Sequence, residues 1–372
     1  MVPTLSVEER PAFRNFSGLD WALLLSALVL AGIGIATVGS ATEAMPGDYL
    51  TRQAIWVGMG IVVMIFTAAF NYRTLIDLGL VLYLGGVALL VLVLFFGQER
   101  GGAQGWFAIG GVGIQPGEIA KLTTAIFLAR YLAGANRCHL GVKQIAVAAG
   151  VVLVPMVLLA LQPDMGSAVM YVPMAGAMLI VAGVRWQVLA AAALAVALVG
   201  VGVWTFALQD YQRERVYTFL NPQADPLGAG YQVQQSKIAV GSGEVLGKGY
   251  GQGTQSQLRF LPARHTDFIF AVLAEEWGFV GTVTVLALYA VFLLNGFRVA
   301  MRARERSAIL LVVGLLGLVG FHVLYNTAMV VGFVPITGIP LPFLSYGGSF
   351  TVLNFAIAVL VLGIDVRRYA NA

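Results

Sequence analysis

Ionisable side chains set within sequence suited to hydrocarbon are the first place to look for chemistry, because a charge at membrane depth is costly. Asp267, Glu275 and Glu276 occur in HTDFIFAVLAEEWGFVG, at the start of a long apolar run. Asp267 and Glu275 are eight positions apart, so a helix carries both on nearly one face. That face must look into a polar cavity or the protein interior rather than lipid. A carboxylate at a helix start has a second reading, as a cap that also suits the helix dipole, and spacing leaves both open for Asp267. Glu275 and Glu276 lie deeper, where capping does not explain them. Glu118 and Lys121, in QPGEIAK, share a face at i and i+3 and read either as a packing ion pair or as a charged cavity wall. Asp164 in LQPDMGSA stands at a helix edge, where it caps a helix or binds a ligand.

The carboxylate Asp267 closes a polar stretch from Asp210 that carries Arg213, Arg215, Lys237, Lys248, Arg259, Arg264 and His265 among many Gln and Gly. Its segment GEVLGKGYGQGTQ is not a phosphate-binding P-loop, since Lys248 is followed by Gly and no strand precedes it. It reads as a mobile loop whose N–H groups are able to touch a phosphate. The three His are scattered and the acids are not clustered, so no metal-ligand spacing is visible.

The elements that position these groups follow from composition. The chain is 59% hydrophobic and 11% charged, with a mean hydropathy of +0.85, whereas a soluble domain carries about 25% charged residues. Repeated apolar runs of roughly 18 to 25 residues make it an all-α polytopic membrane protein, and the runs do not alternate as a β-barrel requires. Forty-five Gly suit close helix packing in lipid. The single Cys138 excludes an intrachain disulfide, and no basic tail points to nucleic acid. Ten spans are expected: Trp21–Val38, Ala54–Phe70, Leu75–Phe96, Glu118–Leu132, Ile145–Ala160, Ala168–Val184, Val188–Leu208, Phe268–Phe297, Ile309–Val331 and Phe343–Ile364. Together they form one membrane domain over 1–372, with one large loop, 209–266, between the seventh and eighth. Glu8, Glu9, Arg10, Arg14 and Asp20 precede a full-length apolar run without a cleavage site, so the first span reads as retained.

Lys and Arg in short loops set the orientation. Arg73, Arg130, Arg137, Lys143, Arg185, Arg298, Arg302, Arg304, Arg306, Arg367 and Arg368 share one set of ends with Arg10 and Arg14, against only Arg52 and Arg100 opposite. Both termini are therefore expected in the cytoplasm and the large loop outside, in the cytoplasmic (inner) membrane. The MRARER cluster at 301–306 reads as a topogenic block or as an anionic-lipid or regulatory site. Asp77 reads as snorkelling or paired. His322 and Asn326, four apart on the ninth span, read as an interhelical hydrogen-bond pair.

An outward cavity lined by Arg, Lys and carboxylates and entered from lipid suits an amphiphile with an anionic head, such as a polyprenyl-pyrophosphate-linked sugar. Glycosyl transfer needs a base for the attacking hydroxyl and positive charge for the departing pyrophosphate. A flippase for the same lipid fits these features as well. A divalent cation, magnesium or manganese, beside Asp267 is compatible with the chemistry, though no ligand set shows in the sequence.

The stretches GWFAIGGVGIQPGEIAK, LQPDMGSA, DPLGAGYQVQQSKIAVGSGEVLGKGYGQGTQSQLRFLPARHTDFIFAVLAEEWGFVG and GIPLPFLSYGGS together resemble the SEDS family (shape, elongation, division and sporulation). GTQSQLRFLP and GIPLPFLSYGGS resemble its elongation-type branch more than its division-type branch. The resemblance implies a peptidoglycan glycosyltransferase that polymerises lipid II during cell elongation. It also implies a class B penicillin-binding protein and other elongation-complex membrane proteins as partners. It transfers the role of general base to Asp267. Substrate binding or cavity architecture falls to Arg52, Glu118 and Lys121, and the substrate-binding set is completed by Asp164, Arg215, Lys248, His265 and Glu275. Gly117 departs from the family's usual QPSE, Val112-Gly113-Ile114 lacks its usual basic residue, and Glu244 interrupts the usual GSGG. A lipid II flippase and a non-catalytic scaffold that activates a penicillin-binding protein are the other readings.

Overall fold

Lipid supplies no hydrogen-bond partners, so apolar runs of this length close their backbone bonds within helices. The computed structural model describes residues 20–43, 45–69, 71–100, 103–109, 112–135, 140–188, 190–191, 217–219 and 228–370. Their elements are α1 (Trp21–Thr42), α2 (Tyr49–Ala69), α3 (Tyr72–Asp77), α4 (Gly79–Phe96), β1 (Gln98–Arg100), β2 (Ala103–Ile109), β3 (Val112–Ile114), α5 (Pro116–Ala133), α6 (Val142–Leu161), α7 (Met165–Val169) and α8 (Tyr171–Val181). After the large loop's first part come α9 (Ala229–Ser242), α10 (Thr254–Gln257), α11 (Ile269–Arg302), α12 (Arg306–Val330) and α13 (Gly348–Ala370).

Among the described residues seven helices are long and apolar enough to cross a membrane: α1, α2, α4, α6, α11, α12 and α13. The chain is a multi-pass membrane protein. The shorter apolar run Met165–Val181 and the charged α5 stand where two more spans are expected. The expected span Val188–Leu208 lies almost wholly outside the described residues, as does Arg215. Two expected spans are divided. The third breaks at Leu78 (φ −83°, ψ 3°), and its first turn is capped by Asn71, which accepts from Arg73 N at 3.1 Å. The sixth is divided between α7 and α8 at Met170, which keeps helical angles. A three-stranded antiparallel sheet, β1-β2-β3, fills the connection from α4 to α5 and is absent from the sequence expectation. Phe107 pairs with Ile114 and Ile109 with Val112 in its second hairpin.

Contacts sort the ends of the helices into two layers. In one, Arg73 pairs with Glu305 at 2.5 Å, and Tyr72 Oη donates to the same carboxylate at 3.2 Å. Arg306 donates to the carbonyls of Ala135 (2.9 Å) and Ala182 (3.1 Å), capping the ends of α5 and α8, and Arg130 donates to the Asp77 carbonyl. The basic ends grouped by the charge rule thus meet in space. The opposite layer holds the end of α1, the starts of α2, α5 and α7, and the segments before α11 and α13. α12 and α13 are the most buried of the spans, with α5 packed against both.

Candidate active site

Asp267 sits on a tight coil just before α11. The Ala263 carbonyl accepts from the N–H groups of Thr266 (3.2 Å), Asp267 (3.1 Å) and Phe268 (3.1 Å). The N-cap position of α11 is Phe268, so capping, the alternative reading of Asp267, does not describe its place in the fold. The segment between α12 and α13 lies along this coil, and with Asn326 of α12 it holds three consecutive carbonyls. Tyr346 N donates to His265 O at 2.9 Å, Ser345 Oγ to Thr266 O at 2.6 Å, and Asn326 Nδ2 to Asp267 O at 2.7 Å. The same segment passes Gly338 close to the carboxylate: a Cβ there would stand 3.7 Å from Asp267 Oδ2, and its φ of +72° favours glycine. Gln53 ties in α2, donating to Ser345 O (3.3 Å) and accepting from Gly347 N (3.4 Å).

His322 and Asn326 make hydrogen bonds, as expected, but neither makes them to another helix. Each instead holds a backbone carbonyl of the segment beside Asp267, His322 Nδ1 at Pro340 O (3.1 Å) and Asn326 Nδ2 also at Ile339 O (2.8 Å). Four residues apart on one helix, both side chains are drawn to the same non-helical strand of chain, whose carbonyls have no helical partners.

Beside the base, His265 meets Tyr49 and Tyr346 ring to ring. Burial, and then the neighbouring Arg264, hold the imidazole below its ordinary pKa. Arg264 is itself buried; burial lowers its pKa, and Arg259 adds to the effect. Its Nε donates to Ala41 O at 2.5 Å, and Gln257 Nε2 to Ser40 O at 3.0 Å. The loop therefore supplies the positive charge that the end of α1 lacks in its own last turn.

The glycine-rich segment is not a mobile loop. α11 is opened at Gly278 (φ +66°, ψ −161°), and the segment fills the opening. Lys248 N and Gly249 N donate to Glu275 O and Glu276 O, both at 3.0 Å, while Phe279 N and Val280 N donate to Glu244 O (2.9 Å) and Val245 O (3.1 Å). Glu275 is buried and anchors the fold of the segment. Its carboxylate accepts from Lys248 Nζ (2.7 Å), Thr254 Oγ1 (3.0 Å) and Gln255 N (3.1 and 3.2 Å). Glu276 accepts from Ser40 Oγ, joining α11 to α1.

Glu118 and Lys121 form a buried ion pair at 2.8 Å on α5, 3% and 1% exposed, and Glu118 Oε2 has no hydrogen-bond partner. Asp164 caps α7, accepting from Ser167 N at 3.0 Å, and also accepts from Gln115 Nε2 at 3.1 Å. Gln115 N in turn donates to Ser349 Oγ at 3.3 Å, which links Asp164 to the first turn of α13. Arg52 stands exposed on the first turn of α2, next to Gln53. Among the described residues no three His, Cys, Asp or Glu side chains come together. No step is derived through a cation. Sequence reasoning missed Asn326, Ser345 and Gln53 as supports of the base; the one signal was their polar character within or beside apolar runs.

A half-buried carboxylate on a coil whose backbone is clamped at three successive carbonyls, set in a helical membrane bundle, points to a class of membrane enzyme, and comparison specifies it. The family model FtsW/RodA/SpoVE, described as "Cell cycle protein", matches residues 17–370. The chain is 39% identical to peptidoglycan glycosyltransferase MrdB of Escherichia coli K12, over 94% of each chain. It superposes with a TM-score of 0.82 and 35% identity on a chain solved in work on the coordination of polymerization and crosslinking by a peptidoglycan synthase complex, covering 94% of this chain and 98% of that one. The rod shape determining protein RodA of Thermus thermophilus gives 0.73 and 31%, covering 95% and 99%. The chain belongs to the FtsW/RodA/SpoVE family, in its elongation-type branch.

Proposed function

We propose that this chain polymerises lipid II into glycan strands at the outer face of the cytoplasmic membrane, as an inverting peptidoglycan glycosyltransferase of cell elongation, with Asp267 as general base. The observation that carries the reading is the clamp on Asp267, whose backbone carbonyl and those of the two residues before it are each held by a separate donor. A base fixed in this way spends little entropy in reaching its proton. Asp267 takes the proton of the acceptor sugar hydroxyl as that oxygen bonds to the donor's anomeric carbon. The bond from that carbon to the pyrophosphate breaks, and polyprenyl pyrophosphate leaves with the electron pair.

Arg52, exposed on the same layer, suits the pyrophosphate. Lys248 is engaged with Glu275, and this pair anchors the glycine-rich segment to α11. Glu118, Lys121 and Asp164 are assigned to the cavity wall. Arg215 is proposed with Arg52 as a phosphate contact from the sequence alone. The basic layer opposite the site supports cytoplasmic termini, and the kinship with a synthase complex supports a crosslinking penicillin-binding protein as partner.

The test incubates purified protein and its cognate class B penicillin-binding protein with labelled lipid II, with and without divalent cation. Wild type is expected to give a ladder of glycan strands on a gel, and folded Asp267→Asn none. A ladder from both would discard Asp267 as the base. A ladder from neither, in an assembled and crosslinking-competent complex, would discard the polymerase in favour of lipid transport.

A further inference from the structure

Three half-buried rings converge beside Asp267 from separate parts of the chain. Tyr49 opens α2, His265 stands two residues before Asp267, and Tyr346 belongs to the segment between α12 and α13. Their centroids are 5.2 Å (Tyr49 to His265), 5.2 Å (Tyr49 to Tyr346) and 5.7 Å (His265 to Tyr346) apart, with planes inclined by 54° to 71°. Tyr49 and Tyr346 pack against the apolar core, and each of the three rings keeps part of its surface open. Within the cluster, His265 Nδ1 is shielded from solvent yet has no hydrogen-bond partner. Such a group costs about 1–3 kcal/mol when left unmet and calls for an explanation. The atom itself is out of a ligand's reach, and a ligand meets the open surface of the rings.

The cluster is also rigid with respect to the base. Tyr346 N is bonded to His265 O, Ser345 Oγ to the next carbonyl, and Asn326 to that of Asp267. A molecule resting on the rings is thereby held at a set distance from the carboxylate. Tyrosine offers a large, rigid, amphipathic contact with only two side-chain torsions to fix. The matching ligand has an apolar face of C–H groups and a rim of hydroxyl and amide groups, which describes a pyranose.

We propose that Tyr49, His265 and Tyr346 form the acceptor-sugar subsite, covering the C–H face of an N-acetylated hexosamine. The assignment rests on the polymerase reading and deepens it. The acceptor, not the donor, belongs here for two reasons. Its hydroxyl must reach Asp267, two residues along the same clamped coil. The donor carries pyrophosphate on its reacting carbon and needs cations there, whereas the three rings offer no charge.

The test holds donor saturating, using lipid II blocked at its acceptor hydroxyl, and varies unblocked lipid II. Tyr346→Ala and Tyr49→Ala are expected to raise the acceptor KM about tenfold or more, equivalent to about 1.4 kcal/mol, with little change in kcat, in binding of the blocked donor or in melting temperature. Tyr346→Phe, which keeps the ring, recovers most of that loss, and His265→Ala resembles the Tyr346→Ala variant. An unchanged acceptor KM in folded Tyr346→Ala, or an equal loss of donor binding, overturns the subsite. A chitotetraose binding measurement separates this failure from failure of the polymerase reading. Wild type that makes no polymer but binds the oligosaccharide in a Tyr346-dependent way keeps the subsite and sinks the polymerase; wild type that does neither sinks both.

Discussion

Asn326 Nδ2 lies 2.7 Å from the Asp267 carbonyl and 2.8 Å from that of Ile339, so one buried amide joins the base to the segment that passes Gly338 against its carboxylate. Asn326→Leu leaves both carbonyls without that donor in a place where each unmet group costs about 1–3 kcal/mol. The variant is expected to melt lower and to lose glycan polymerisation about tenfold or more, since the base is freed from one of its clamps. Differential scanning fluorimetry and the lipid II gel assay read the two effects. A variant with wild-type melting and wild-type strands would mean that the clamp is dispensable.

Gly278 holds α11 open for the glycine-rich segment. Its φ of +66° and ψ of −161° belong to a region reserved almost wholly for glycine, and a Cβ there would lie 2.3 Å from Gly247 N and 2.7 Å from the Leu246 carbonyl carbon. Gly278→Ala is expected to cost about 3 kcal/mol or more and to release the amides of Lys248, Gly249, Phe279 and Val280 together. Amide hydrogen exchange, followed by peptide, checks this. Unaltered protection over 244–249 would show that the helix break and the docked segment are independent.

That docking explains where sequence reading stopped. The apolar runs behind α1, α4, α6, α11 and α12 announce themselves, because a hydrocarbon solvent demands about twenty such residues in succession. The glycines from Gly243 to Gly253 looked mobile because their partners, the carbonyls of Glu275 and Glu276, are released only by a helix break some thirty positions later. The sheet from Gln98 to Ile114 is equally hidden: its strands are three to seven residues long and hold no lasting alternation. At the site, acid at membrane depth marked Glu118 and Glu275 directly, whereas Asp267 was singled out by the family resemblance. The supports Asn326 and Ser345 were not legible, since a side chain that bonds a distant backbone carbonyl leaves no pattern of spacing.

Glu118 and Lys121 allow the packing and functional roles of a buried ion pair to be separated. Removing one partner strands a buried charge at about 3–5 kcal/mol, whereas replacing both with apolar side chains is often neutral. Glu118→Leu and Lys121→Met alone are therefore expected to destabilise the protein strongly, and the double variant to regain most of its melting temperature. The proposed function assigns the pair to the cavity wall, and on that reading the stable double variant is expected to make no glycan strands. Strands from the double variant would reduce the pair to packing.

His265 makes stability depend on pH in a direction that follows from its surroundings. Burial, and then Arg264, lower its pKa in the folded protein below the ordinary 6.5. As pH falls through about 6.5, the unfolded chain takes up this proton while the folded chain does not, so the unfolded state gains. The contribution of the neutral ring is whole above that pH, is lost progressively as pH falls toward the folded pKa, and changes no further below it. His265→Gln removes the titration, so wild type is expected to lose melting temperature relative to the variant as pH is lowered from about 7.5 to about 5. Melting curves that run parallel for the two proteins across this range would mean that the imidazole is not held neutral in the fold.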